Sequence, residues 1–301
     1  MGPVDASVPD NLLDVGPHPH IGLATLTYLF SGASVHRDST GVEQVIRPGE
    51  VNFMVAGRGV VHSERATEAV SMVEPDAKGR RRMHGMQMWV ALPRELEHAP
   101  AAFYHVPADD VPDVAAALRP PTATGSLVAR LLLGELGAHQ ITGAPMPWPC
   151  FMLALDMAAG THVSIPVPPG HEACVYVAEG RAKAGTRGDV LDVGEASVYS
   201  SSNGDDQASG ESTQASSSSS LGVMAVEPSN VVVFGGLPLP EARHIFWNFV
   251  GSDKAAVAEA ASAWAALDRS RFPPVANESN DDSIALPGQP FLAAGTANGA
   301  P

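Results

Sequence analysis

His18 and His20 flank Pro19, and His62 and Glu64 flank Ser63; these four residues have the types and the spacing to do chemistry together. Side chains two apart on a strand point to the same face, so each extended pair would present two ligands to a common interior. Three imidazoles and one carboxylate then converge on one point. Neutral imidazole and carboxylate suit zinc, iron, nickel, copper and manganese, whereas an all-oxygen cage would point to calcium or magnesium. On an ion that prefers six ligands this set leaves two positions open, while a four-coordinate zinc would be closed and structural. The donor set therefore favours an open, redox-capable ion. A His-x-His taken alone is weak evidence, and it gains weight from the strand-forming sequence that links the two pairs.

The elements that must position these residues read as short strands. Leu23 to Phe30 is rich in Leu, Thr and Tyr and reads as a strand, with Ser31-Gly32 turning it as a hairpin into another that starts near Ser34. Arg47-Pro-Gly-Glu50 has Pro and Gly at the centre of a type II turn and launches a strand over Val51–Val55. Gly57 and Gly59 loosen the backbone around Arg58, which either caps the turn or faces the site, and His84–Leu92 alternates as one more strand. Met86 and Met88 read as core, because thioethers prefer soft copper sites. The Pro-rich stretch from Pro93 to Pro121 is expected to bridge two domains, with a strand near Tyr104 and a helical turn over Val114–Leu118.

A second β-domain is expected from Ser126. Strand-like runs fall at Leu127–Leu133, Cys150–Met157, His162–Pro166, Ala173–Val177, Ala196–Ser200 and Val231–Gly235, spaced by turn signals as in a barrel. His162 and His171 stand apart there, so one metal is expected, in the N-terminal barrel. Ser200 to Ser220 is low in complexity and is expected to be a floppy insert. One convincing helix is expected over Lys254–Leu267, opened by Asp253, with Val257, Ala261, Trp264 and Leu267 as its apolar stripe. Residues before Asn11 are expected to lack order, the tail after Asn277 to lie on the surface, and the last dozen residues to be disordered.

The totals agree with a soluble all-β protein. Of 301 residues 45% are hydrophobic and only 17% charged, and 29 Gly with 26 Pro imply many turns. A net charge of −15 argues against direct binding of nucleic acid, whose phosphates are gripped by Lys and Arg. Arg80, Arg81 and Arg82 read as a solvated loop. The two cysteines, Cys150 and Cys174, make no disulfide framework and fit a reducing compartment. With no apolar run long enough to span a bilayer, no signal-peptide pattern and no myristoylation pattern, no membrane partner is expected and a cytoplasmic monomer is the default.

Several motifs together carry a family resemblance. His18-Pro-His-Ile-Gly-Leu-Ala-Thr-Leu-Thr-Tyr-Leu-Phe-Ser-Gly is followed by His36-Arg-Asp-Ser, Arg47-Pro-Gly-Glu, Ala56-Gly-Arg-Gly-Val-Val-His-Ser-Glu and His84-Gly-Met-Gln-Met-Trp-Val. In order and spacing they resemble the pirin family of bicupins, more loosely through the second half to His244-Ile-Phe-Trp-Asn-Phe-Val-Gly-Ser. The resemblance implies an all-β fold of two tandem cupin barrels, each a double-stranded β-helix or jelly roll, followed by a C-terminal α-helix. The corresponding domains are 1–120 with the metal, 121–250 without one and carrying the serine-rich loop 200–220, and 251–301 as helix and tail. Pirins ordinarily carry further strand-forming sequence ahead of this His-Pro-His, so either a truncated sequence or a shortened first barrel is expected.

The same resemblance implies that His18, His20, His62 and Glu64 bind one divalent transition metal, Fe(II) first, with Ni, Cu, Mn, Co or Zn as alternatives. It implies two functional readings. One is a dioxygenase of the quercetin 2,3-dioxygenase type acting on a flavonol-like small molecule, with Glu64 as its catalytic base. The other is a non-catalytic, metal- and redox-dependent module that binds a protein partner, as transcription cofactors do, nuclear if the source is eukaryotic. Where pirins usually carry Glu, at the fourth position after the second histidine, this chain has Ala24. Ala24 is expected to line the barrel near the histidines and to weaken any activity that needs that carboxylate.

Overall fold

The structure is a computed structural model and describes residues 2–6, 14–75, 79–120, 124–185, 188–201, 219–279 and 282–287. Two compact units divide the chain, residues 1–108 with 240–301 and residues 109–239. The segment from 240 onward, expected to close the second domain and then form a separate helix and tail, clusters with the first unit.

The first unit contains β1 (Val4–Asp5), β2 (Asp14–His20), β3 (Leu23–Ser31), β4 (Ser34–Asp38), β5 (Glu43–Ile46), β6 (Val51–Val55), β7 (Val60–Arg65), β8 (Arg82–Ala91) and β9 (Ala102–Val106). They form two sheets, of order β1-β8-β3-β6-β9 and β2-β7-β4-β5. Leu23 and Met54 of the larger sheet pack with Val60 of the smaller, which is how each sheet hides its apolar face. The Arg47–Glu50 turn forms as expected, with Gly49 at φ +81 and the Glu50 amide donating to the Arg47 carbonyl at 3.3 Å.

Two expectations about this unit need correction. β3 and β4 are not a hairpin: β3 pairs with β6 and β8, whereas β4 pairs with β5 and β7 in the other sheet. Gly32 at φ +96, tight against Met83, makes the corner by which the chain changes sheets. Ahead of Asn11, residues 2–6 are ordered enough for Val4 and Asp5 to pair with Met83 and Arg82 of β8; residues 1 and 7–10 lie outside the described residues.

The second unit contains β10 (Leu127–Leu136), β11 (His139–Gln140), β12 (Cys150–Met157), β13 (His162–Val167), β14 (Glu172–Glu179), β15 (Ala182–Ala184), β16 (Asp189–Leu191), β17 (Ala196–Ser200), β18 (Ser219–Ala225) and β19 (Ser229–Gly236). A sheet of order β11-β10-β12-β19-β14-β17 and one of order β13-β18-β15-β16 enclose a core that includes Leu131, Leu153, Val163, Ile165, Val175, Val223 and Val233. That core is apolar throughout. All six expected strands are present, and the additional ones are two or three residues long or, for β18, abut the serine tract. Of that tract, residues 202–218 lie outside the described residues.

β20 (His244–Phe246) and β21 (Phe249–Gly251) pair with each other and return the chain to the first unit. The helix Lys254–Ala265 follows, its first turn capped by Asp253, which accepts from the Ala255 amide. Val257, Ala260, Ala261 and Trp264 form its buried face, packing with Ile21, Val61, Phe249 and Phe272. Leu267 is not on that stripe: it follows the helix at φ +56, with 60% of its surface exposed. Nor is the tail simply superficial, because the Glu278 side chain is only 5% exposed and the Ile284 amide donates to the Pro17 carbonyl at 2.9 Å. The last dozen residues lie outside the described residues. Among those described, no helix is long and apolar enough to cross a membrane.

Candidate metal centre

β2 carries two prolines between and beside its histidines, Pro17 and Pro19, and proline cannot donate to a sheet ladder. It is tolerated because β2 is the edge of its sheet, with β7 on one side. A register shift between Val15 and His18 sets His18 opposite His62 and Pro19 opposite Val61. The two same-face pairs are thereby brought side by side. His18, His20 and His62 are all buried, and their nearest nitrogens lie within 4.8 Å of one another.

The outward nitrogens of β2 are spoken for. His18 Nδ1 donates to the Gly16 carbonyl at 2.8 Å, and His20 Nδ1 donates to the Asn248 carbonyl at 3.2 Å. A proton held on Nδ1 leaves Nε2 as a bare lone pair, the usual arrangement of a metal-ligating histidine. The Asn248 carbonyl arrives through Gly22: Ile21 and Phe249 form a parallel bridge, and a Cβ on Gly22 would stand 2.0 Å from the Val250 oxygen. Glycine at 22 is what lets β21 approach.

The donor set fits a transition metal on an observation of the fold itself. Nε2 of His20 and Nε2 of His62 are buried with no hydrogen-bond partner in the protein, and buried polar atoms of that kind call for a water, an ion or a ligand to satisfy them. Burial, with the His18 ring beside it, pushes the His20 imidazole down to about 3. Burial also pushes His62 well below its ordinary value, helped by His18, His20 and His36. Both rings are neutral at physiological pH and available as ligands.

Glu64, on β7 two residues after His62, adjoins this group of three histidines without belonging to it. Its Oε2 is 3.8 Å from His18 Nε2 and its Oε1 is 3.4 Å from His62 Nδ1. Gln87 on β8 donates to Oε1 at 2.8 Å and to Thr27 Oγ1 at 3.2 Å, so it fixes the carboxylate from the opposite sheet. Trp89 stands edge-on to His20 with centroids 5.2 Å apart. A cavity of about 170 Å³ adjoins Glu64, lined also by Thr27, Leu29, Ser34, Ile46, Met83 and Gln87.

Behind His62 lies His36, whose ring stacks on Phe103 at 4.5 Å. Its Nε2 is 3.3 Å from Asp38 Oδ2. Burial would raise the Asp38 carboxyl, but hydrogen bonds from His36 and Thr40 outweigh it and hold the group below the ordinary carboxylate range. The spacing of His36 and Asp38 appeared in the sequence without a role. Gln87, Trp89 and the Asn248 carbonyl carried no signal that marked them as parts of this site.

Ala24 does not line the site. In β3 it pairs with Val55 and Val90, while its neighbour Thr25 pairs with Met54 and with Trp89, the residue that meets His20. Alternation along the strand turns Ala24 to the opposite face of the sheet, where it is fully buried. Arg58 is exposed in its turn. Among the described residues His18, His20 and His62 form a group that could hold a metal, and His162 and His171 lie outside it.

Comparison with known proteins agrees with this architecture. The Pirin family model matches residues 1–90 and the Pirin C-terminal cupin domain model residues 152–270. A pirin-like protein of Caulobacter vibrioides is 37% identical over 270 residues, covering 87% of this chain and 81% of its own length. A crystal structure of quercetin 2,3-dioxygenase from Acinetobacter baumannii superposes with a TM-score of 0.75 at 28% identity, over 96% of this chain and 83% of that one. Another structure of that name from the same organism gives 0.68 at 25% identity, over 86% of this chain and 79% of that one. With both family models matched in order and a relative of this identity spanning most of its length, the chain belongs to the pirin family of two-barrel cupins.

Proposed function

We propose that His18, His20, His62 and Glu64 hold one divalent transition metal, and that the site serves a dioxygenase reaction on a flavonol-like enol of the quercetin 2,3-dioxygenase type. The observation that carries the reading is the pair of orphaned Nε2 atoms, on His20 and His62, buried beside His18 and a carboxylate. Fe(II) is the first candidate, and Ni, Cu, Mn, Co and Zn accept the same donors. When bound, the ion supplies Lewis acidity and a redox-active centre at which substrate and dioxygen meet. The chain's own residues do the rest. Gln87 anchors Oε1 of Glu64, and Oε2, 3.8 Å from His18 Nε2, is the oxygen left to take the proton of an enolic hydroxyl. Trp89 and Met54 lie on the site face of the larger sheet, Trp89 edge-on to His20. The name and fold of the Acinetobacter baumannii structures support the substrate class. Free Cys150 and Cys174 support a cytoplasmic location.

One observation favours the other reading, a metal- and redox-dependent interaction module. The cavity of about 170 Å³ beside Glu64 is smaller than the roughly 300 Å³ at which pockets for drug-sized ligands begin. Oxygen uptake on a flavonol panel, with anaerobically purified protein at matched metal content, separates the two. Turnover that falls by about 10² to 10⁴ in Glu64→Gln is expected of the enzyme. Stoichiometric metal with no uptake on any flavonol would favour the module.

A further inference from the structure

Asp38, His36 and His62 form a buried string that leads away from the metal centre. His36 Nε2 faces Asp38 Oδ2 at 3.3 Å, and His36 Nδ1 faces His62 Nδ1 at 3.4 Å. The second oxygen of Asp38 is already occupied. Oδ1 accepts from the Thr40 amide at 2.8 Å, the Thr40 hydroxyl at 2.6 Å and the Val42 amide at 3.3 Å. Stacking on Phe103 fixes the plane of the His36 ring.

The protons on this string follow from which atoms only accept. An ionised carboxylate only accepts, so His36 Nε2 carries a proton and donates to Asp38. A neutral His36 then has a bare Nδ1, which can be satisfied only if His62 donates from its own Nδ1. Glu64 Oε1, 3.4 Å from that same nitrogen, is again an acceptor and favours the same proton. His62 Nε2 is left bare, buried and without a hydrogen-bond partner.

We propose that Asp38 and His36 are positioning residues that set the tautomer of His62, so that its Nε2 is free to ligate metal. The proposal rests on the metal reading above, and it extends to His62 the task that the Gly16 and Asn248 carbonyls perform for His18 and His20. An unusual consequence follows for Asp38→Asn. Three donors hold the oxygen at the Oδ1 position, so the amide NH₂ of that variant must face His36 and donate to it. His36 would then be protonated on Nδ1 and donate to His62, whose proton would move to Nε2 and block ligation.

The test uses the full chain with ¹⁵N-labelled histidine. Long-range ¹H–¹⁵N correlations on the metal-free wild type should show His36 protonated on Nε2 and His62 on Nδ1. Asp38→Asn should invert both and weaken Ni(II) binding, read by chelator competition, by about 10- to 100-fold, the range for lost partners of metal-bound histidine. Asp38→Ala removes the acceptor without imposing a donor, so it should weaken Ni(II) binding less, although a purely structural role predicts that the poorer match in size does more harm. A wild type with His62 protonated on Nε2 overturns the proposal whether or not the variants fold, and so does Asp38→Ala binding Ni(II) no better than Asp38→Asn. A wild type that has the assigned tautomers but no affinity for Ni(II) overturns the metal reading instead.

Discussion

His20 shows how burial keeps an imidazole neutral. Its imidazole is enclosed, pressed by the His18 ring and tied to the Asn248 carbonyl, and burial with that neighbour takes it from 6.5 to about 3. A folded-state value below the unfolded one means that the unfolded chain binds the extra proton first. Stability from this group is therefore complete above 6.5 and is lost as the pH falls towards 3. Denaturant titrations of the metal-free protein should show the unfolding midpoint dropping steadily over that window, with metal affinity falling alongside as protons compete. A midpoint unchanged between pH 7 and pH 5 would contradict it. The meeting of His18, His20 and His62 was legible in the sequence because His-x-His declares a shared strand face. Their supports were not. The Asn248 carbonyl lies 228 positions from His20, and Gln87 lies 23 from Glu64, distances at which a single sequence gives no pairing.

At the scale of elements, alternation explains both what was read correctly and what was not. Val51–Val55, Cys150–Met157 and Ala196–Ser200 fall where composition and turn signals put them, since strand-forming residues between Gly and Pro have few other options. Which sheet a strand joins is a separate matter. The Ser31-Gly32 turn looked like a hairpin, yet β3 and β4 lie in different sheets, because local pattern cannot tell a tight hairpin from a corner. The same limit placed Ala24 at the site, when pairing with Val55 and Val90 turns it to the other face. Ala24→Glu should therefore not raise any flavonol turnover. It would bury a carboxylate without a partner and cost on the order of 3 kcal/mol or more, read as a lowered unfolding midpoint. A faster, equally stable variant would show that residue 24 does reach the site.

For the molecule as a whole, the return of the chain after residue 240 matters most to the metal centre. β21 brings the Asn248 carbonyl to His20, and farther on Glu278 reaches β7 at Ser63, between His62 and Glu64. There its carboxylate accepts from Ser63 Oγ at 2.8 Å and from Arg65, with Arg37 at 3.4 Å. Burial would raise Glu278, but the hydrogen bonds from Arg65 and Ser63 prevail and leave it below its ordinary 4.5. Its contribution is thus complete above 4.5 and fades as the pH falls through the lower folded value. Glu278→Ala should cost about 1–3 kcal/mol at neutral pH, from donors left unsatisfied, and less in acid. Equal losses at pH 7 and pH 3 in denaturant titrations would refute this. None of it was visible in the sequence, where a polar tail after a helix reads as surface.

The proposed function requires one metal per chain, in the first barrel, on His18, His20, His62 and Glu64. Elemental analysis of anaerobically purified wild type and His62→Ala, both checked for a folded state by circular dichroism, tests it most directly. One transition-metal ion per wild-type chain and none retained by folded His62→Ala is the result expected. Full occupancy in His62→Ala, or two ions per wild-type chain, would contradict it.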